Sequence, residues 1–434
     1  MNSDTPQKLT LRLPADAIYL PVVTPFVESA AVAFGLQKEA ALRLGLATEE
    51  IFVHLSREVC RGEPLEINCL NGVSYARVEF RFSGSKLNMG ALNMTATCKG
   101  EENIAEMGLI IASRTIDRLH ITSEKFQQVC LAIEKDKDYP AVTETIPLPT
   151  GSAGDFTVET PDTETLKRFV TLAVRNDDPL QPDYLRYPGK VADMAAVGQI
   201  RALVAITPKR DIAGGVLLCF QMERIVQIIG PYAFDSRHKT DIFESLLAAC
   251  LSGMARTKAM AILSMGGIPA EIQSQFEPLG TLSYYLPSGN AVARHLYYRL
   301  LHEDPGCVIW ADGSLRDYLS KEYQRLYLAR EIREVKDFGE TRSGASIFSA
   351  AVTRLRSEVI LRPLWPGADM DENVKRHIAC VKEESLRNIL FMLDMGVSWH
   401  AVLMPILVDN GFKPALILPF AGQSDMVVFQ YHEH

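Results

Sequence analysis

The sequence predicts a multidomain protein of the α/β (α+β) class. Its 434 residues exceed what one hydrophobic core usually needs, and at roughly 150 residues per domain they indicate two to four domains. Strand-like and helix-like segments alternate along the chain, which is typical of α/β layers. A segment order in the second third of the chain recurs in the last third. We therefore expect one fold in the first third and a duplicated fold in the rest.

The composition excludes several classes of protein. A content of 47% hydrophobic and 23% charged residues is typical of a soluble globular protein. The formal net charge of −8 argues against general nucleic-acid binding, which needs a surplus of Lys and Arg. No apolar run approaches the roughly 20 residues of a membrane span, and the polar residues 1–8 do not resemble a signal peptide. The sequence thus predicts a cytoplasmic protein with no nucleic-acid or membrane partner.

The eight cysteines predict a reduced protein without a metal centre. None forms a C-x-x-C pair, and several lie in apolar runs such as residues 216–220. Scattered thiols of this kind are typical of core residues in a cytoplasmic protein. The histidines show no ligand spacing beside the cysteines, so we predict no metal site.

Residues 136–156 have the composition of an interdomain linker. They hold several turn-forming residues and little helical periodicity. Residues 287–290 form a turn cluster that follows an apolar strand, and residues 337–344 form a charged, glycine-containing loop. We predict four segments, which are a first domain at 1–135, the linker at 136–156, a second domain at 157–290 and a third domain at 291–434.

The first domain shows a clear order of elements. We predict an edge strand over residues 9–14, helices over 19–34 and 39–60, an alternating strand over 75–82, a helix over 106–119 and a strand near 120–121. The apolar residues of the second helix are Leu42, Leu46, Ile51 and Leu55.

Two segments of this domain carry a family resemblance. The second helix holds Glu50 and His54, one turn apart on one face, and the last helix begins with Glu106-Met107-Gly108-Leu109. The element order and these residues resemble the histidine-kinase-like ATPase domain of GHKL proteins, specifically the bacterial anti-sigma serine kinases. The resemblance implies an α/β sandwich that binds ATP and magnesium, with a catalytic carboxylate at Glu50 and a magnesium ligand at the place of His54.

The resemblance also implies a nucleotide site around Ser83, Ser85, Gly108 and Leu109. Here the chain departs from the family, because Ser83 stands where an adenine-binding Asp is expected and Ser85 where a glycine is expected. His54 is a poor magnesium ligand, since Mg²⁺ prefers oxygen donors. We therefore predict weak or lost ATPase and kinase activity. The alternative is that Glu50 and His54 form only a surface pair on an amphipathic helix.

An internal repeat links the second and last thirds of the chain. Three matched segments lie at one constant offset, namely residues 213–216 with 345–348, 228–231 with 360–363, and 285–287 with 417–419. Each copy has a strand, a helix (240–256 and 371–384), a buried strand (259–264 and 388–394), a short helix and a strand ending in Leu-Pro. This order predicts a sheet whose two central strands are parallel and splayed.

Each copy resembles the GNAT (Gcn5-related N-acetyltransferase) fold, and residues 411–414 resemble a segment common in that family. The resemblance covers about residues 155–434 and implies acetyl-CoA as cofactor. In the family, a glycine-rich loop before the central helix binds the CoA pyrophosphate through backbone N–H groups at a helix N-terminus. The resemblance also directs attention to Tyr284 and Tyr285, where such enzymes often keep a general acid, although tyrosines on a strand are more often packing residues.

The two copies differ at the cofactor loop. The first copy has a basic loop at residues 235–241 without a glycine, in which Arg237 and Lys239 are candidate phosphate partners. The alternative is an ordinary capped helix start. The second copy has residues 367–372, whose carboxylates repel a pyrophosphate. We predict that the second copy does not bind CoA.

Three functions remain open. The first is a regulatory protein of the anti-sigma type, whose partner is a sigma factor or an anti-anti-sigma-like regulator. The second is an acyl-CoA-dependent N-acyltransferase that acts through the first GNAT-like domain. The third is a scaffold of degenerate domains that forms a homodimer. The sequence favours the first, by a narrow margin.

Overall fold

The structure is a computed structural model. The structure describes residues 7–59, 62–83, 93–97, 112, 114–123, 128–143, 155–175, 178, 180–220, 222–235, 237–286, 289–336, 342 and 344–433. The chain divides into two compact units. The first comprises residues 1–138, 337–354 and 358–391, and the second comprises residues 139–336, 355–357 and 392–434.

An antiparallel sheet with two helices makes up the first part of the first unit. Its elements are β1 (Lys8–Pro14), α1 (Leu20–Ala33), α2 (Lys38–His54), β2 (Pro64–Asn71), β3 (Tyr75–Ser83), β4 (Arg118–Ser123) and β5 (Gln128–Asp136). The strand order is β1-β2-β3-β5-β4, so β1 is the predicted edge strand. The predicted helices and strands of this region are confirmed, with one exception. The predicted helix 106–119 lies mostly outside the described residues, and its last two positions, 118–119, belong to strand β4.

The buried face of α2 differs from the prediction. Ile51 and Leu55 are fully buried, but Leu42 and Leu46 are 47% and 40% exposed. The residue that faces the core between them is Leu44. Because a helix turns 100° per residue, positions two residues away from Leu44 point to the opposite side. The prediction that Leu42 and Leu46 belong to the apolar face was therefore wrong.

The second unit begins with a seven-stranded sheet. Its elements are β6 (Thr157–Glu159), α3 (Thr163–Val174), α4 (Pro188–Ala196), β7 (Ile200–Ile206), β8 (Ile212–Cys219), β9 (Ile225–Ala233), α5 (Lys239–Met254), β10 (Ala261–Ser264), β11 (Glu277–Tyr285) and β12 (Ala291–Leu300). The strand order is β11-β12-β10-β9-β8-β7-β6. Helices α3 and α4 pack on one core cluster of this sheet and α5 on another.

The central strands β9 and β10 are parallel, whereas their outer neighbours β8 and β12 run antiparallel to them. This confirms the predicted pair of parallel central strands. Strand β12 lies past the predicted domain boundary at 290, but it pairs with both β10 and β11. Because an antiparallel hairpin needs both of its strands, this sheet continues to Leu300.

The remaining elements are β13 (Cys307–Ala311), α6 (Arg316–Arg325), β14 (Arg330–Glu334), β15 (Ile347–Thr353), β16 (Glu358–Trp365), α7 (Met370–Glu383), β17 (Asn388–Asp394), α8 (Leu403–Asp409), β18 (Phe412–Leu418) and β19 (Met426–Tyr431). In the first unit, β15 is antiparallel to β16, and β16 is parallel to β17. In the second unit, β13 and β14 are parallel and β18 and β19 form an antiparallel pair.

The repeat is visible in these pairings. Strands β15, β16 and β17 pair in the same order and with the same orientations as β8, β9 and β10. The antiparallel hairpin β18–β19 corresponds to the hairpin β11–β12. A shift of register also falls at a matching place in both copies, opposite Gly230-Pro231 in the first and beside Pro363 in the second. These details support the duplication that the constant offset predicts.

The described cysteines are free thiols, and all of them except Cys307 are buried. Burial raises the pKa of Cys69 and Cys250 to about 12, which keeps these thiols protonated and unreactive. Within the described residues, the helices are too short or too polar to cross a bilayer.

Candidate functional site

The parallel strands β9 and β10 part at their carboxyl ends. They are in register from Ile225 opposite Ala261 to Ile228 opposite Ser264, where β10 ends. Strand β9 continues through a bulge at Gly230, whose φ of 90° is readily adopted by glycine. A bulge bends its strand and interrupts regular pairing, and bulges are frequent beside active sites. The bulge therefore accounts for the separation of the two strands at this point.

A cavity of about 290 Å³ lies where the strands part. Its walls are residues 227–232 of β9, Ser264 at the end of β10 with residues 265–269 after it, residues 178 and 180–182, and Arg294 of β12. In open α/β sheets, ligands bind in the crevice at the carboxyl ends of parallel strands. The cavity is therefore the candidate functional site of the seven-stranded sheet.

Arg294 connects two walls of the cavity. Its side chain is 9% exposed, and the guanidinium donates to the carbonyl oxygens of Met265 and, at 3.3 Å, Leu180. The guanidinium also lies 5.7 Å from the ring centroid of Tyr284. Tyr284 is therefore placed beside the cavity as a packing partner of Arg294, while Tyr285 is 47% exposed.

Asp178 and Tyr232 bring acid–base chemistry to the cavity. One carboxylate oxygen of Asp178 accepts the backbone N–H of Leu180 at 2.9 Å, which fixes the carboxylate in a turn. Tyr232 is 7% exposed, and burial, followed by the negative charge of Asp178, raises the pKa of its phenol well above the usual value. The cavity therefore offers one anionic acceptor and one phenol that stays protonated.

The loop before α5 carries the predicted phosphate partners. The Asp235 carboxylate accepts the backbone N–H of Arg237 at 2.9 Å and lies 3.3 Å from Nδ1 of His238. The side chain of Arg237 is exposed, whereas Lys239 Nζ lies 3.4 Å from Oε1 of Glu271. An incoming phosphate would compete with Asp235 for the amide of Arg237, since both are anions. The assignment of Arg237 and Lys239 to CoA stays a prediction.

The corresponding loop of the second copy is closed by its own side chains. Asp369 accepts the backbone N–H of Ser346 at 2.6 Å and pairs with Arg376 at 2.6 Å. Burial acts to raise the pKa of Asp369, but these partners hold it below its usual value. A Cβ atom on Gly367 would lie 2.1 Å from the nitrogen of Ser346, so the backbone is tightly packed here. That this copy does not bind CoA stays a prediction.

The predicted nucleotide residues are only partly described. Glu50 and His54 lie one turn apart on α2, as predicted, and both are half-buried. Burial, followed by the charge of Glu49, raises the pKa of Glu50. Ser83 ends β3 and accepts a hydrogen bond from Gln128 Nε2 at 3.0 Å. Ser85, Gly108 and Leu109 lie outside the described residues, so this site stays a prediction.

Asp178, Tyr232 and Arg294 were not predicted from the sequence. They come from three distant segments, and no spacing in the chain relates them. The internal repeat identified the Gly230-Pro231 pair in the sequence. It did not show that this pair forms a bulge beside the cavity. Among the described residues there is also no cluster of three or more His, Cys, Asp or Glu side chains that could hold a metal ion.

Comparison with known proteins gives partial matches to solved structures alone. No protein-family model and no curated protein sequence matches this chain. One similar structure is a GNAT superfamily phosphinothricin acetyltransferase from Sinorhizobium meliloti in complex with AcCoA, at 16% identity over 34% of this chain and 89% of that chain, with a TM-score of 0.30.

Two further similar structures are also acetyltransferases. The aminoglycoside 6'-N-acetyltransferase from Enterococcus faecium has 12% identity over 34% of this chain and 99% of its own, with a TM-score of 0.28. An acetyltransferase of the GNAT family from Staphylococcus aureus has 16% identity over 34% of this chain and 100% of its own, with a TM-score of 0.26. Each of these matches covers about a third of this chain and most or all of the matched protein.

Proposed function

We propose that the seven-stranded sheet of the second unit forms an acyl-CoA-dependent N-acyltransferase. The observation that carries the proposal is the cavity at the parted ends of β9 and β10, directly before the start of α5. A helix start favours anions, because its free N–H groups and its dipole point at the ligand. Arg237 and Lys239 add positive charge there. The cavity would therefore take the acyl end of the cofactor, and the start of α5 its phosphates.

The acyl end and the phosphate end of acyl-CoA would meet different surroundings. The acyl end meets a preformed cavity with polar groups on its walls. The phosphate end meets an amide that Asp235 already uses and an ammonium group that pairs with Glu271. We therefore expect CoA esters to bind more weakly than they would at a glycine-rich loop with free amides.

The residues of the cavity supply the proton transfers that the reaction requires. Bound acyl-CoA supplies a thioester carbonyl that an amine can attack. We propose that Asp178 holds the substrate ammonium group and accepts its proton, which frees the nitrogen lone pair. The nitrogen would then attack the thioester carbon, and as the C–S bond breaks Tyr232 would donate its phenol proton to the leaving thiolate. The second proton of the attacking nitrogen would pass to the tyrosinate and restore the phenol. Arg294 positions the walls of the cavity through its two carbonyl contacts.

Binding of acetyl-CoA to the full chain tests the cofactor. We expect the melting temperature to rise with acetyl-CoA, and Arg237→Glu to weaken binding about tenfold, because the change reverses a charge at the phosphate position. Arg256→Glu is the matched control, since it makes the same change after the last turn of α5. Failure of the wild-type chain to bind acetyl-CoA would contradict the proposal.

We propose a second function for the antiparallel sheet of the first unit, namely nucleotide-dependent regulation of a protein partner. It rests on the order β1-β2-β3-β5-β4 and on the half-buried Glu50 and His54 of α2. The partner expected from the resemblance is a sigma factor or an anti-anti-sigma-like regulator. Isothermal titration with ATP and magnesium tests it, with Glu50→Gln against the exposed control Glu39→Gln. If titration of the wild-type chain with ATP and magnesium produces no heat of binding, the nucleotide part of the proposal is contradicted.

A further inference from the structure

The cavity at the parted ends of β9 and β10 holds two side chains of opposite charge, Asp178 and Arg294. In the described part of the chain, their hydrogen bonds are with backbone groups alone. Asp178 accepts the N–H of Leu180, and Arg294 donates to the carbonyl oxygens of Met265 and Leu180. Each charge is therefore available to a charged group of a ligand.

The two charges are anchored on the same two segments of the cavity wall. The Arg294 guanidinium donates to the carbonyl oxygen of Leu180 at 3.3 Å, two residues after Asp178. It also donates to the carbonyl oxygen of Met265. A Cβ atom built on the next residue, Gly266, would lie 3.7 Å from Oδ2 of Asp178. A ligand that meets both charges therefore needs its own charged groups only a few bonds apart.

The carboxylate of Asp178 has one oxygen for the turn and one for a ligand. Oδ1 accepts the backbone N–H of Leu180 at 2.9 Å. Oδ2 accepts no hydrogen bond from the described residues, and the nearby Gly266 has no side chain to cover it. An ionised carboxylate only accepts hydrogen bonds and an ammonium group only donates them. An ammonium group is therefore the matching partner for Oδ2.

The guanidinium of Arg294 keeps donors for an anion. Of its five N–H groups, the two carbonyl contacts use Nε and Nη2. Nη1 has no hydrogen-bond acceptor among the residues that the structure describes. Nη1 and Nη2 are neighbouring donors of the kind that bind a carboxylate through two parallel hydrogen bonds. Because Arg294 is only 9% exposed, such a pair would be largely shielded from water.

The rest of the wall suits an aliphatic group. Leu180, Ile228, Ile229 and Ile268 line the cavity and are buried. The volume of about 290 Å³ is at the lower end of the roughly 300 to 1,000 Å³ that small-molecule sites span. The ligand is therefore expected to be small, with an apolar portion beside its two charges.

We propose that the amine substrate of this site is a small aliphatic α-amino acid such as valine. Its ammonium group would pair with Asp178, its carboxylate with Arg294, and its side chain would lie against the apolar wall. An α-amino acid matches the site because a single carbon atom joins its two charged groups.

The inference rests on the proposed acyl transfer. An amide bond would form between the amino nitrogen and the acyl carbon as the C–S bond of the thioester breaks. The products would be an N-acyl amino acid and the free thiol of CoA, with the amine protons transferred as described above.

Isothermal titration of the full chain, without and with CoA, tests the substrate class. The probes are L-valine, L-valinamide, which lacks the carboxylate, and 3-methylbutanoate, which lacks the ammonium group. We expect the second and third probes to bind about tenfold more weakly than valine or worse, because each leaves one charge of the cavity without a partner. Equal binding of valine and valinamide, or no binding of valine in either condition, would overturn the inference.

Asp178→Asn tests the ammonium position without disturbing the turn. Asparagine keeps a side-chain oxygen that can accept the N–H of Leu180, but it removes the negative charge. We expect this variant to bind valine about tenfold more weakly and 3-methylbutanoate no more weakly than the wild type. Asp183→Asn is the matched control, since Asp183 lies in the following 3₁₀ helix and does not line the cavity. Unchanged valine affinity in Asp178→Asn would contradict the assignment.

Thiol release from acetyl-CoA distinguishes this inference from the proposed function. Release with valine and little release with valinamide would support both. Equal release with the two amines would overturn the amino-acid specificity and leave acyl transfer standing. Selective binding of valine without thiol release would contradict acyl transfer and support the amino-acid site.

Discussion

At the scale of single residues, His377 shows how burial alters ionisation. Its side chain is fully buried in α7, and Nδ1 donates to the carbonyl oxygen of Asn373 at 2.9 Å. Burial lowers the pKa of the imidazole to about 4, although this hydrogen bond acts in the opposite direction. The folded protein therefore holds His377 neutral at pH values at which an unfolded chain would already be protonated.

His377 should make the first unit sensitive to acid. Between pH 6.5 and 4 the unfolded chain binds a proton at His377 that the folded chain does not bind. The contribution of His377 to the free energy of unfolding is therefore fully present above pH 6.5 and is lost as the pH falls toward 4. At pH 5 this loss is about 2 kcal/mol. We expect the urea midpoint to fall less between pH 7.5 and 5 in His377→Gln than in the wild type. The exposed control His302→Gln should keep the wild-type pH dependence, and an unchanged pH dependence in His377→Gln would contradict the expectation.

At the scale of elements, two glycines of β8 set the distance of the helices from the sheet. A Cβ atom on Gly214 would lie 2.6 Å from Cγ2 of Ile242 in α5, and one on Gly215 would lie 2.6 Å from the ring of Phe169 in α3. Successive strand residues point to opposite faces, so each glycine makes room for one helix. Gly214 and Gly215 therefore determine how closely α5 and α3 pack on the sheet that forms the candidate site.

Gly215→Ala should destabilise the second unit through overpacking. The added methyl group meets the fully buried ring of Phe169, and we expect a loss of about 1 to 3 kcal/mol in the free energy of unfolding. The double variant Gly215→Ala with Phe169→Leu should be less destabilised than the sum of the two single changes, because the smaller side chain leaves room for the methyl group. Strict additivity in denaturant titrations would show that this contact does not set the packing.

At the scale of the whole molecule, the first unit is assembled from distant parts of the chain. Its core cluster includes Ile347 of β15, and Leu364 and Trp365 of β16 pack against it. The side chain of Asn93 donates to the carbonyl of Ser346 and accepts the backbone N–H of Phe348, both at 2.9 Å. The antiparallel sheet of residues 8–136 thus completes its core with strands from the last third.

A fragment that ends at Asp138 should not reproduce this unit. Without residues 337–391, the apolar surface that meets β15 and β16 is exposed to water, which removes part of the hydrophobic stabilisation. We expect fragment 1–138 to bind a hydrophobic dye and to melt with low cooperativity by circular dichroism. A fragment that melts as cooperatively as the full chain, without dye binding, would show that this part folds independently.

The sequence by itself determined most of the local structure. Hydrophobic patterning predicted the bounds of β3 and β17 within one residue, because β3 alternates and β17 contains a continuous apolar run. The constant offset between Pro231 and Pro363 revealed the duplication, because a repeated fold keeps its turn and bulge residues. Motif comparison selected Glu50, Arg237 and Lys239 because the chemistry expected of a family falls at recognisable positions.

Only the tertiary structure determined which residues from distant segments lie together. Asp178, Tyr232 and Arg294 converge on one cavity from a turn after α3, the bulged strand β9 and strand β12. No short-range pattern in the sequence encodes that convergence. The same holds for Asn93 and β15, which are joined by hydrogen bonds across more than half of the chain. The physical reason is that periodicity records which side of an element is buried, whereas the partner on that side is selected by the packing of the whole fold.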